Sequence, residues 1–145
     1  MKKVSDLMVD KFDKVCEDEP IYEAVKIIAA NREISIACVV DKEDKLKGIL
    51  SPKHVLEMVE IREFGAVRGR FFAGPGILHL MTSKYAKDIM SAPVHVRVED
   101  EIAKAIDIMI DGGLYEIPVV DKDMKIVGAI NYFDIIISCV ECLKE

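Results

Sequence analysis

The stretch Pro118–Ile135, PVVDKDMKIVGAINYFDI, decides the fold, because the earlier stretch Cys38–Val55, CVVDKEDKLKGILSPKHV, says nearly the same thing. Each begins as an apolar strand ending in Val-Val-Asp and turns through charged residues. Each then returns as a second apolar strand holding a glycine and enters a polar helix start. The repetition extends outward in both directions. VSDLM (4–8) recurs as AKDIM (86–90), 82 residues later; EPIYEAVKII (19–28) recurs as DEIAKAIDIM (100–109), 81 later; VVDKEDKLKGIL (39–50) recurs as VVDKDMKIVGAI (119–130), 80 later. Order and spacing both persist through two one-residue gaps, so the chain is a tandem repeat.

Each copy predicts the unit β-α-β-β-α. FDKVC and PVHVR read as first strands. In the first copy Glu19 precedes Pro20, which suits the first helical position because its missing N–H needs no partner there. In the second, Asp100 fits an N-cap. Ile21, Ala24, Val25, Ile28 and Ala29 form one apolar helix face, and Ile102, Ala105, Ile106, Met109 and Ile110 form the matching face. Gly112 and Gly113 stop the second helix. SIACVV and YEIPVV, then LKGIL and IVGAI, read as the paired strands. Ser51 and Asn131 cap the last helices, with Pro52 at the first position after Ser51. The boundaries are repeat 1 over residues 1–59, a connector over 60–85, and repeat 2 over 86–145. The connector holds four of the eight glycines and three of the five phenylalanines. It reads as a partly ordered segment packed on the repeats, and its Arg62, Arg68 and Arg70 as solvated charge or an anion contact.

Composition narrows the function classes. The 145 residues are 51% hydrophobic, enough to build a core. The net charge of -6, with acids and bases interspersed, argues against nucleic acid or an anionic membrane as partner. No apolar run approaches the ~20 residues of a membrane span, and the N-terminus lacks the apolar stretch of a secretory signal. Cys16 and Cys38 sit in apolar, strand-like surroundings, as buried free thiols do. Cys139 and Cys142 form one CxxC, half of a structural zinc set and without a redox setting. The thiols suit a reducing, cytoplasmic compartment. His54, His79 and His95 have no metal-ligand spacing, and no nucleophile triad or phosphate loop is present. The expectation is therefore a protein that is not an enzyme and holds no cofactor or metal.

With DIMSAPVHVRVEDEIAKAIDIM followed by EIPVVDKDMKIVGAINYFDII, the unit resembles a CBS domain, and two copies resemble the tandem pair called a Bateman module. The resemblance implies an α/β (α+β) fold with two β-α-β-β-α repeats packed sheet to sheet under pseudo-twofold symmetry. It also implies two clefts that hold adenosine-containing ligands: AMP, ADP, ATP or S-adenosylmethionine. The family pattern at the second-helix start is Gly-x-x-Ser/Thr-x-x-Asp, whose Asp grips the ribose. Gly128, Asn131 and Asp134 match with Asn for Ser/Thr; Gly48 and Ser51 match in the first copy, where His54 departs from the Asp. Cys38 likewise stands where the second copy has Pro118.

By this resemblance the stronger site comprises Asp134, Asn131 and Ile130 from repeat 2 with Lys11, Phe12, Ile34, Ser35 and Ala37 from repeat 1. The weaker site comprises Ser51 and His54 with Ala92, Pro93, Tyr115 and Pro118. A carboxylate accepts from two vicinal hydroxyls through strong charge-assisted bonds, whereas a neutral imidazole offers one acceptor. Free N–H groups at a helix start favour nearby phosphates. Asp134 at the third helical position also fits a plain dipole role. Relatives often carry His, Arg or Lys just before the second-strand Pro; here Tyr115 and Glu116 stand there, with Ser35 and Ile36 in the first copy. Glu116 argues against a triphosphate and for a less anionic ligand unless Lys11, Lys14, Lys53, Arg68 or Arg70 supplies charge. Phe133, Ile136, Ile137, Val140 and Leu143 make an apolar stripe that predicts a homodimer. The regulated partner would be an unidentified enzyme or transporter. The competing readings are a ligand-free dimerisation or scaffold module, and a small redox or metal protein using Cys139 and Cys142.

Overall fold

The structure, a computed structural model, describes residues 2–30, 36–64, 79 and 81–144; Ile34, Ser35, Arg68 and Arg70 lie outside the described residues. In chain order the elements are α1 (Val4–Leu7), β1 (Asp13–Cys16), α2 (Ile21–Ala30), β2 (Ala37–Val40), β3 (Leu46–Leu50), α3 (Pro52–Phe64), α4 (Ala86–Ile89), β4 (Val96–Arg97), α5 (Ile102–Gly112), β5 (Glu116–Val120), β6 (Ile126–Asn131) and α6 (Tyr132–Cys139), with a 3₁₀ turn over Val140–Leu143. The strands form two three-stranded sheets, β1-β2-β3 and β4-β5-β6. In each, the first strand runs parallel to the central one and the hairpin partner antiparallel.

The Val-Val-Asp repetition has a local cause. Asp41 Oδ1 accepts from the N–H groups of Glu43 and Lys45 at 2.8 and 3.0 Å. Asp121 does the same with Asp123 and Lys125 at 2.8 and 3.0 Å. These bonds close each hairpin and hold both carboxyls below the ordinary aspartate range, the bond from Lys45 or Lys125 being the largest cause. Both turns place one residue at positive φ, Asp44 and Met124, each at 64°. Both central strands carry a bulge at the second valine.

Alternation along the central strands sorts their side chains between two faces. Ala37 and Val39 pack into the first core with Ile21, Ala24, Leu50 and Val55. Ile117 and Val119 pack into the second with Ile102, Ala105, Met109 and Ile130. The opposite faces meet each other. Ile36, Cys38, Leu46 and Ile49 of the first sheet bury against Val120 of the second, with Leu114, Met124 and Ile126 around them. A backbone bond from Leu46 N–H to the Met124 carbonyl, 3.0 Å, ties the hairpins across this interface. The packing is sheet to sheet, and the two copies are related by a pseudo-twofold.

The leading segments exchange places. Val4 of α1 lies in the second core, and Val9 exchanges backbone hydrogen bonds of 2.9 and 2.8 Å with Ala129. Ala86 and Ile89 of α4 lie in the first core, and Ser91 exchanges bonds of 2.9 and 3.2 Å with Ile49. This crossing explains the repeated glycines. A Cβ on Gly48 would stand 2.6 Å from the Ser91 carbonyl oxygen, and one on Gly128 would land on the Val9 carbonyl. The Asp of VSDLM and AKDIM anchors the short helices. Asp6 accepts from Lys3 N–H at 2.8 Å, and Asp88 from Lys84 and Tyr85 N–H at 3.1 and 3.0 Å.

Several local expectations need correction. Helix α2 starts at Ile21, and Pro20 supplies the carbonyl that accepts the first helical bond, from Ala24. Helix α5 is capped at Glu101; Asp100 instead accepts from Arg97 N–H at 2.8 Å and closes the preceding turn. Ala29 is exposed and Ile27 packs in its place. Ile110 is 67% exposed, because the apolar stripe of α5 is wider than its own core. Gly112 ends α5 and Gly113 takes the left-handed cap at φ 63°, where glycine carries no Cβ penalty. Helix α3 runs through Phe64, past residue 60, and its Ile61 is buried. Arg62 donates to the Ser83 carbonyl at 2.5 Å, joining the two described ends of the connector.

Candidate functional site

The two second-helix starts are built alike. Ser51 Oγ accepts from His54 N–H at 3.2 Å, and Asn131 Oδ1 accepts from Asp134 N–H at 3.0 Å. Each cap fixes the first turn of its helix, so the third helical residue projects from the same place in both copies. What surrounds those two residues differs.

Beside His54 lies a cavity of about 550 Å³, lined by Ser51, Lys53, Glu57, Ile36, Leu114 and Tyr115 among others. Tyr115 is fixed by an edge-on contact with Tyr132, centroids 5.0 Å apart, and its carbonyl accepts from Tyr132 N–H at 2.9 Å. Of the expected weaker-site residues, the structure brings together Ser51, His54 and Tyr115. Ala92 and Pro93 line a separate groove with His95 and Lys104. Pro118 is fully buried within β5. Ser91, on the leading segment, lines the His54 cavity instead.

Advancing the cavity residues by the 80-residue repeat gives the matching positions of the second copy. Ile36 becomes Glu116, Ser51 becomes Asn131, Lys53 becomes Phe133 and His54 becomes Asp134. Glu116 is only 3% exposed. Its carboxylate accepts from Ile36 N–H, yet burial first, and then Asp13 and Asp134, push its pKa up to about 7. Glu116 Oε1 and Asp134 Oδ2 are both enclosed without a hydrogen-bond partner among the described residues. Cys38 stands on the same sheet face, and burial, then Glu116 and Asp13, push its thiol up to about 12. Three carboxylates therefore gather here: Asp13 from β1, Glu116 from β5 and Asp134 from α6.

Of the expected stronger-site residues, Asp134 and Asn131 stand together at the capped start of α6. Ile130 and Ala37 are wholly buried in the two cores, so any contact they make with a ligand is through backbone. Phe12 is half-buried and Lys11 exposed, next to β1. Ile34 and Ser35 lie outside the described residues. Glu116 stood out in the sequence only as a departure from a basic pattern; the repeat spacing, which aligns it with Ile36, marks it as a difference between the copies. Asp13 carried no such signal, because its approach to Glu116 joins strands of different sheets.

Among the described residues, no group of three or more His, Cys, Asp or Glu is placed to hold a metal ion. Likewise no described helix is long and apolar enough to cross a membrane. Cys16, Cys38, Cys139 and Cys142 are free thiols, and Cys142 is exposed.

Known proteins share this architecture. A CBS domain-containing protein from Thermotoga maritima is 28% identical with a TM-score of 0.79, covering 97% of this chain and 95% of its own. The protein CBSX2, solved in complex with AMP, is 17% identical with a TM-score of 0.78, covering 99% and 100%. A CBS domain pair solved with 5'-methylthioadenosine and S-adenosyl-L-methionine is 19% identical with a TM-score of 0.73, covering 99% of both chains. Among curated relatives, an inosine-5'-monophosphate dehydrogenase of Halobacterium salinarum is 25% identical over 132 residues, 90% of this chain, and the chain spans only 23% of that enzyme's length. The CBS domain family matches twice, at residues 4–61 and 86–141. The chain belongs to the CBS domain family, as a tandem pair.

Proposed function

We propose that this CBS pair is a regulatory module that binds an adenosine-containing ligand, AMP, ADP, ATP or S-adenosylmethionine, in the cleft at Asp134, and that it is not itself an enzyme. The observation that carries this reading is the enclosed, unpartnered Oδ2 of Asp134 at a capped helix start. Leaving a carboxylate oxygen unsatisfied in an enclosed site costs roughly 1–3 kcal/mol or more. Two vicinal ribose hydroxyls are donors of the right kind and number to satisfy it. Solved relatives carry AMP or S-adenosyl-L-methionine in folds of the same shape, which supports the ligand class. His54 offers at most one acceptor, so its cleft is proposed as the weaker ribose site, with Ser51 and Tyr115 beside it. Thermal-shift screening against adenosine, AMP, ADP, ATP and S-adenosylmethionine tests the reading. A ligand at about 100 times its dissociation constant adds about 2.7 kcal/mol of stability, so at least one should raise the melting temperature; no shift with any of them would favour a ligand-free scaffold.

The module is further proposed to act as a homodimer, with an unidentified enzyme or transporter as the regulated partner and the cytoplasm as its place. Phe133, Ile137 and Leu143 are 71%, 70% and 72% exposed on the last helix and turn. Leu143 also lines an apolar groove of about 380 Å³ between α5 and α6, with Ile106, Ile110, Ile136 and Cys139. An apolar face of this kind marks an interaction surface. Light scattering at micromolar concentration should give about twice the 16.2 kDa chain mass; a mass near one chain would refute the dimer.

A further inference from the structure

We infer that the Asp134 cleft selects its adenosine ligand by charge at the 5' position, accepting an uncharged or cationic substituent such as a sulfonium and rejecting a 5'-polyphosphate. The inference rests on the adenosine reading above and specifies the ligand class of the same cleft.

At equivalent places the first copy sets Ile36 and His54 beside its cavity, whereas the second sets Glu116 and Asp134. The first set joins an imidazole to an apolar wall. The second has exchanged the imidazole for a carboxylate, and the apolar wall for a second carboxylate. Asp13 adds a third from β1, close enough to raise the pKa of both Glu116 and Cys38. Lys14, next to Asp13, is engaged with Asp44 at 3.1 Å.

Ribose recognition accounts for one unpartnered carboxylate, that of Asp134. It leaves Glu116 Oε1, enclosed in a residue only 3% exposed, without a partner. A buried acceptor of that kind is satisfied by a donor or a cation. A phosphate oxygen brings a further negative charge and no donor. Like charges brought together where water is excluded repel strongly, and opposite ones attract. The cleft therefore discriminates by the sign of the charge next to the ribose. It also couples binding to protons: a cation favours ionised Glu116, so its affinity should rise as pH rises through about 7, while an anion's should fall. The groups coupled to Glu116 in this response are Asp13 on β1 and Asp134 on α6, with the Ile36 N–H as the opposing donor.

Calorimetry with adenosine, S-adenosylmethionine and ATP tests the inference, the heat of this cleft being the component that Asp134→Ala removes. In the wild type that component should favour S-adenosylmethionine over ATP by at least tenfold. Glu116→Gln should shrink the ratio at least tenfold, and Asp13→Asn should shrink it less. If adenosine binds but ATP binds this cleft as tightly as S-adenosylmethionine, or Glu116→Gln leaves the ratio unchanged, charge selection is overturned and the adenosine reading survives. If none of the three binds, the adenosine reading fails and this inference with it.

Discussion

The two clefts share a scaffold and differ in what they hold. Each is entered by a helix whose first turn is fixed by an N-cap, Ser51 or Asn131. Each stands beside a hairpin closed by an aspartate, Asp41 or Asp121. Each is crossed by the other copy's leading segment, over Gly48 or Gly128. The repeated residues are thus the ones that build the backbone. Among the residues that differ, Ile36 and His54 line a cavity in the first copy, whereas Glu116 and Asp134 enclose unpartnered carboxylate oxygens in the second. Duplication kept the frame and let the contents diverge, so the differences between copies, more than the similarities, indicate ligand chemistry.

Substitutions separate the shared frame from the differing contents. The largest effect should come from the frame. Gly48→Val and Gly128→Val each drive side-chain atoms into a crossing backbone carbonyl. Overpacking of this kind costs about 1–3 kcal/mol, occasionally more, and the neighbour here is backbone with little room to give. Both variants should lose stability similarly in urea denaturation; an effect at one glycine alone would show that the crossings are not equivalent.

The next effect separates the clefts by pH. Glu116 has its folded pKa raised to about 7 from 4.5. The folded state therefore binds more protons than the unfolded state between those values, and stability should fall as pH rises from about 4.5 to above 7. Glu116→Gln removes this slope. The variant should exceed the wild type by roughly 1–3 kcal/mol at pH 8, with the gain from the removed charge vanishing near pH 4.5. Ile36→Val, at the matching place, keeps Glu116 and should retain the wild-type slope. Equal slopes for wild type and Glu116→Gln would place the charge in solvent.

The smallest effects should again be symmetric. Ser51→Ala and Asn131→Ala each remove a helix cap and should cost about 1 kcal/mol. A much larger loss at one of them would mean that its side chain does more than cap.

Much of this was legible in the sequence. The two hairpins, the caps at Ser51 and Asn131, Pro52 at the first position of α3 and the stop at Gly113 are local, and local chemistry repeats visibly. The exchange of leading segments was not legible. VSDLM and AKDIM announce short capped helices, but nothing in their spacing says which core Val4 or Ile89 enters. Asp100 looked like a cap because capping residues also close turns, and backbone geometry alone decides between Asp100 and Glu101. Ile110 fitted the helical period, yet a stripe records which face is apolar and not whether the chain itself covers it. At the cleft, Asp134 stood out by contrast with His54, whereas Asp13 had no contrast to mark it. Its approach to Glu116 depends on two sheets meeting face to face.

The central claim is that one cleft clamps a ribose with a carboxylate and the other does not. Calorimetric titration of an adenosine ligand into Asp134→Asn and His54→Asn tests it most directly, since each substitution keeps a polar side chain and alters the acceptor. Losing a charge-assisted bond costs about 1.5–3 kcal/mol, so Asp134→Asn should weaken the tighter site roughly tenfold or more, while His54→Asn should leave that site unchanged. Equal losses in the two variants would contradict the account and reduce both residues to the first turns of their helices.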